Sequence, residues 1–136
     1  MDVRPLDPAV HVSPQIALED LAVLKARGYG AVISNRPDGE EPGQPSADQV
    51  RAAAEAEGLG FVHIPISMPN LGPDQVQAMR AALEDLPGPV LAFCKSGTRS
   101  AVMWALTQAG ERPADDLIAQ AAEVGYDISG LRGRLE

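Results

Sequence analysis

Val90-Leu91-Ala92-Phe93-Cys94-Lys95-Ser96-Gly97-Thr98-Arg99-Ser100 is the stretch that decides the fold. An apolar run, Val90 to Phe93, ends at the only cysteine of the chain, and a polar turn with a glycine then leads into an apolar segment. A short apolar run without alternation is the pattern of a strand buried on both faces, as in a parallel sheet. Ligands of such sheets gather beyond the carboxyl ends of the strands. The order of residues therefore puts the Cys94 sulfur at the ligand-binding edge of an α/β sheet.

The rest of the chain repeats the alternation. Val10 to Val12 reads as an extended opening, and Ser13 with Pro14 as the cap and first turn of a helix that carries Ile16, Leu18, Leu21, Val23 and Leu24 to Gly28. Gly30 to Ser34 is a second apolar run, followed by a charged loop from Asn35 to Pro45. Ser46 and Gln49 form a capping box for an alanine-rich helix closed by Gly58. Phe61 to Ile66 predicts another strand, and Gly72-Pro73-Asp74 opens a helix that stops at Pro87-Gly88. Beyond the cysteine turn, Ala101 to Ala109 is helical, a further helix runs from Pro113 to near Gly125, and the tail from Ile128 adds a last short one. Strands alternating with helices predict a single α/β domain over residues 1–136, with a largely parallel sheet.

Composition narrows the chemistry. The 136 residues are 45% apolar, enough for one core. Eleven basic against 19 acidic residues, net charge −8, argue against partners held by long-range attraction to anions, so neither nucleic acid nor a membrane surface is expected. An aromatic content of 4% is too low for base-stacking platforms. No run approaches the roughly 18 apolar residues of a membrane span, and Met1-Asp2-Val3-Arg4-Pro5 is unlike a signal peptide, so the cytoplasm is the expected compartment. One cysteine and two histidines, His11 and His63, supply neither a disulfide nor a zinc site, and no cofactor or metal is called for.

The backbone N–H groups of Lys95, Ser96, Gly97, Thr98 and Arg99 can curl into a nest at a helix N-terminus, which favours an anion. Donors of that kind, with a guanidinium alongside, also favour thiolate over thiol. Cys94 is thus the candidate nucleophile, and Arg99 the fork that grips two oxygens of a substrate oxyanion. Lys95, Ser96, Gly97 and Thr98 line the substrate-binding turn. Ser100 is placed to donate its hydroxyl to the sulfur. The plain alternative is a cysteine buried as a small apolar residue beside an arginine that caps an exposed helix start.

This turn resembles the active-site loop of the cysteine-dependent phosphatases, of protein tyrosine and dual-specificity type, and also that of the rhodanese sulfurtransferases. Between Cys94 and Arg99 stand four residues, Lys95 to Thr98, the rhodanese count and one fewer than the phosphatase signature. Rhodaneses, however, place another strand after the catalytic turn, whereas Ser100 to Glu136 holds only helical patterns and loops. The whole chain, with Ser13-Pro14-Gln15 and Asn35-Arg36-Pro37-Asp38-Gly39-Glu40 besides the cysteine loop, resembles the phosphatase-like family of bacterial proteins found alone or joined to metallo-β-lactamase-type hydrolase domains.

That resemblance implies a three-layer domain whose central, mostly parallel sheet of about four to five strands is flanked by helices. It implies a hydrolase acting on a phosphoester, carried by a small anionic molecule or a phosphoprotein, through a phosphocysteine on Cys94 with Arg99 stabilising the transferred group. A functional link to a metallo-β-lactamase-type hydrolase follows from the same family. Phosphatases of this kind take a general acid from a loop well before the cysteine, but Ser67-Met68-Pro69-Asn70-Leu71 contains no acid. The candidates are Asp74, which also fits as a helix-dipole partner, and Glu40, in a loop it shares with Asp38 and Glu41. Arg36 either adds positive potential at the substrate or pairs with Asp38 or Glu40. His63 reads as a structural, mid-strand histidine and Trp104 as core. Two alternatives need no acid: sulfur transfer through a Cys94 persulfide, as in rhodaneses, and a non-catalytic phosphate-binding module.

Overall fold

The computed structural model of the protein describes residues 1–68 and 71–136. Strands β1 (Arg4–Pro5), β2 (Val10–Ser13), β3 (Ala31–Ser34), β4 (Gly60–His63) and β5 (Val90–Phe93) form one sheet in the order β1-β2-β5-β3-β4. All pairings are parallel except that of β1, which lies antiparallel on β2. The run that ends at Cys94 is the central strand, and each of its residues is buried.

Side chains of a strand alternate between the two faces, so each run feeds two cores. Val10, Val12, Ala31, Ile33, Val90 and Ala92 face one side, against α3 (Pro73–Asp85), α4 (Thr98–Gln108), α5 (Ala114–Glu123) and α6 (Arg132–Leu135). Val32, Leu91 and Phe93 face the other, against α1 (Asp20–Ala26) and α2 (Ala47–Ala56). This is the three-layer arrangement expected. Helix α4 is buried from Ser100 to Thr107 because α3, α5 and α6 enclose the sides that the sheet does not, which explains its lack of a polar face.

Four boundaries differ from the sequence reading. Ser13 is the last residue of β2, paired with Phe93, and not a helix cap; the chain stays extended past it, with Gln15 N–H donating to Lys95 O. Helix α1 starts only at Asp20, whose carboxylate accepts from Ala17 N–H, leaving Leu18 and Val23 outside the core. Helix α4 starts at Thr98, three residues earlier than its apolar pattern, because Gly97 turns left-handed (φ 95°) as its cap and lets the helix begin inside the polar turn. Strand β4 is shorter than its apolar run, and His63 ends it. Ser46 and Gln49 form the expected capping box.

The register aligns the carboxyl ends of four strands, since Ser13 and Ser34 both pair with Phe93 and His63 pairs with Ser34. Cys94, Asn35 and Gln15 all lie just beyond this line.

Candidate active site

The site rises from that edge. Cys94 follows the central strand, is fully buried, and its Sγ accepts a hydrogen bond from Gly97 N–H at 3.1 Å. The left-handed cap conformation of Gly97 brings this amide back over the sulfur. Among the described residues it is the one backbone amide seen on Sγ; the next, Thr98 N–H, is turned to the Ser96 hydroxyl at 3.4 Å. Ser96 in turn donates to Thr98 Oγ1 at 3.1 Å, and both side chains are exposed.

Arg99, the second residue of α4, reaches back towards the β3 loop. Its Nη1 and Nη2 donate to Glu40 Oε2 and Oε1 at 2.8 and 2.9 Å, and Nη1 also donates to Ile66 O at 2.9 Å. This is the bidentate fork expected for a substrate oxyanion, here closed on a carboxylate of the same chain. The Glu40 contact and the nearby Cys94 side chain both favour the charged guanidinium. The Arg99 guanidinium, helped by Arg36, holds the Glu40 carboxyl well below its usual range, down to about 2.

Arg36 follows β3 and is buried with only 4% of its surface exposed. Its Nε donates to Glu40 Oε1 at 2.9 Å, Nη2 to Glu41 Oε1 at 2.8 Å and Nη1 to Gln15 Oε1 at 3.0 Å. Of the two roles open to Arg36, pairing is the one observed, with Glu40 and Glu41 and not with Asp38. The Asp38 carboxylate instead accepts from Ala47 N–H at the start of α2. Lys95, well exposed, pairs with Glu41 at 3.1 Å. Its neighbour cation and the Arg36 guanidinium lower the Glu41 carboxyl.

Ser100 does not donate to the sulfur. Its buried hydroxyl donates to Asn35 Oδ1 at 2.8 Å, while Asn35 Nδ2 donates to Ile64 O and Asn35 N–H to Phe93 O. A hydroxyl has a single proton to give, so in this geometry Ser100 ties α4 to the β3 loop. Asp74 is exposed at the start of α3, and among the described residues no hydrogen bond or ion pair joins it to the cluster. Pro69 and Asn70, in the loop that lacks an acid, lie outside the described residues. His63 sits at the carboxyl end of β4 and not in mid-strand, and its Nε2–H donates to Arg36 O at 2.8 Å. Trp104 is core, its Nε1–H donating to Asp7.

Four participants escaped the sequence reading: Gln15, Asn35, Glu41 as a partner of Arg36, and Tyr126. Asn35 had a usable signal, since it directly follows a predicted strand, whereas Gln15 was read into a helix after Ser13-Pro14. Tyr126 had none; it arrives from the far end of the chain, 30 residues after Ser96, whose carbonyl accepts from its hydroxyl. Burial pushes the Tyr126 phenol above its usual range, against the pull of Arg4, and keeps it a donor. A groove of about 410 Å³ lies elsewhere, beside Val10, Leu83, Leu86 and Val90 at the amino ends of the strands.

Comparison with known proteins agrees with the fold and the family. A crystal structure from Neisseria meningitidis, described as that of a candidate phosphatase, superposes with a TM-score of 0.88 at 33% identity, covering 100% of this chain and 97% of that one. The core catalytic domain of the PP-IP phosphatase SIW14 from S. cerevisiae shares the fold alone, with a TM-score of 0.68 at 11% identity over 93% of this chain and 76% of that one. The beta-lactamase hydrolase-like protein of Agrobacterium fabrum is 34% identical over 127 residues, 92% of this chain but 30% of its own length. The chain thus spans under a third of that curated relative. Residues 2–111 match the family model described as "Beta-lactamase hydrolase-like protein, phosphatase-like domain", and the chain belongs to that family of phosphatase-like domains.

Proposed function

We propose that the domain is a cysteine-dependent phosphoester hydrolase whose nucleophile is Cys94. One observation carries the reading: beside the sulfur, the Arg99 fork is closed on the two oxygens of Glu40 with the geometry a phosphoryl group would adopt. An incoming phosphoester exchanges with that carboxylate. Two phosphoryl oxygens take the fork, and Glu40 stays with Arg36 through Oε1.

In the first step the Cys94 thiolate attacks phosphorus, an S–P bond forms, and the P–O bond to the leaving group breaks with its electron pair going to the leaving oxygen. Arg99 and the loop amides stabilise the charge on the equatorial oxygens. Water then attacks the phosphocysteine, releasing inorganic phosphate and the thiolate. Asp74 is remote from the cluster among the described residues, and Glu40 on its arginines is an anion at neutral pH. The leaving oxygen therefore departs largely without a proton, which favours aryl over alkyl phosphates.

Sulfur transfer is the second reading, and the four-residue spacing from Cys94 to Arg99 favours it. With thiosulfate, Cys94 would take the outer sulfur, sulfite would leave with the S–S electron pair, and cyanide would then lift the sulfur off as thiocyanate. No acid is needed. The length of the curated relative supports a coupling of this domain to a hydrolase module. Turnover of an aryl phosphate and of thiosulfate plus cyanide, each compared with Cys94→Ser, tests the assignment. Phosphoester turnover lost in the variant supports hydrolysis, turnover of thiosulfate alone supports sulfur transfer, and neither activity, with slow alkylation of the thiol, leaves a phosphate-binding module.

A further inference from the structure

Tyr126 stands between α5 and the short 3₁₀ turn at Ser129–Leu131, beyond the residues matched by the family model, and is 5% exposed. Its hydroxyl donates to Ser96 O at 3.1 Å. A buried phenol needs an acceptor, and the choice of acceptor is what matters here. Ser96 C=O and Gly97 N–H belong to one peptide unit, and Gly97 N–H is the donor to Cys94 Sγ at 3.1 Å. Planarity holds the C=O and N–H of a trans peptide in one plane, pointing in opposite directions. One rigid unit therefore links the phenol on its outer side to the sulfur on its inner side.

Two further contacts fit that arrangement. A Cβ on Gly97 would lie 2.0 Å from Tyr126 Oη and 2.8 Å from Cζ, so the glycine is required by the tyrosine as well as by its φ of 95°. The Arg4 guanidinium stacks on the Tyr126 ring at 5.1 Å and donates to Val124 O at 3.0 Å, fixing the ring from behind.

We infer that Tyr126 is a positioning residue for the nucleophile: it orients the Ser96–Gly97 peptide plane and, by donating to its carbonyl, strengthens the Gly97 N–H bond to the Cys94 sulfur. The inference rests on the reading of Cys94 as the nucleophile. Hydrogen bonds in series polarise one another by about 10–30% per bond, and loss of the outer bond also frees the peptide to rotate.

The test is the rate of Cys94 alkylation by iodoacetamide, followed by intact mass against pH, in the full chain and in Tyr126→Phe, which keeps the ring under Arg4. The wild-type rate is expected to rise along a limb as the thiolate forms. Tyr126→Phe is expected to move that limb up by about half a pH unit, roughly a threefold loss of rate below it. Ile128→Val, a trim in the same buried segment, is expected to lower the melting temperature and leave the limb in place. Coincident limbs for wild type and Tyr126→Phe, or equal displacement by Ile128→Val, would overturn the positioning role while leaving Cys94 the nucleophile. A wild-type thiol with no reactive limb overturns that underlying reading, and the inference with it.

Discussion

Glu40 closes both carboxylate oxygens on the Arg99 guanidinium, at 2.8 and 2.9 Å, although 59 residues separate them in the chain. The pair lies beside a fully buried Cys94, whose side chain interacts with Arg99. In the proposed reaction, an anion that binds there competes with a carboxylate already in place.

Replacing Glu40 by Gln removes the competitor's charge and leaves its shape. Inorganic phosphate and sulfate should then inhibit Glu40→Gln about three to ten times more tightly, with KM falling in the same sense, as expected when a charged pair must be broken for binding. Inhibition constants against an aryl phosphate check this. An unchanged inhibition constant with a fall in kcat alone would instead make Glu40 the proton donor.

The same pair gives stability a defined pH dependence. The folded Glu40 carboxyl lies at about 2 against an ordinary 4.5, so its contribution is complete above 4.5 and is lost as pH falls through that window towards 2. With solvent screening of a side chain still 29% exposed, the contribution is about 1 kcal/mol. Denaturant midpoints between pH 5 and pH 2.5 should fall less steeply for Glu40→Gln than for the wild type.

Arg99→Lys keeps the charge but loses the fork. Hydrolysis should fall about a hundredfold in kcat/KM, because a point charge cannot bind two oxygens in one plane. A loss of less than about threefold would show that Arg99 does not hold the transferred group.

Because the proposed reaction expels the leaving oxygen without a proton, the rate should depend steeply on how well that oxygen carries charge. Across substituted phenyl phosphates, kcat/KM should rise about tenfold or more from the poorest to the best leaving group. A flat series would require a general acid, such as Asp74 in the first turn of α3.

Ser100 and Asn35 carry a structural prediction. Ser100→Ala leaves the buried Asn35 Oδ1 without its donor, at a cost of about 1–3 kcal/mol. A fall in melting temperature with near-normal alkylation of Cys94 is the expected pattern; a collapse of alkylation at unchanged stability would restore a role for its hydroxyl at the sulfur.

The fold was legible wherever a local pattern had one physical cause. The run from Val90 to Phe93 is apolar because helices cover both faces of the central strand, and Ser46 with Gln49 can satisfy a helix start without help from the rest of the chain. Reading failed where tertiary pairing overrode local chemistry. Ser13-Pro14 has the form of a cap, yet the ladder to Phe93 and Lys95 holds it extended. At the site, Cys94, Gly97 and Arg99 were readable because they share one turn. The partners of Arg99 and Ser100 were not, since Glu40 and Asn35 come from another loop and several acceptors lay equally near in sequence. Tyr126 was invisible because its role depends on a glycine 29 residues earlier having no side chain.

The central claim is that Cys94 takes the phosphoryl group onto its sulfur, and intact-protein mass spectrometry after rapid acid quench of an aryl phosphate reaction tests it most directly. The wild type should gain the mass of one phosphoryl group, located at Cys94 by fragmentation and lost on longer incubation, and Cys94→Ser should gain none. Phosphate release at the same rate from both proteins, with no phosphorylated species at any time, would contradict the account.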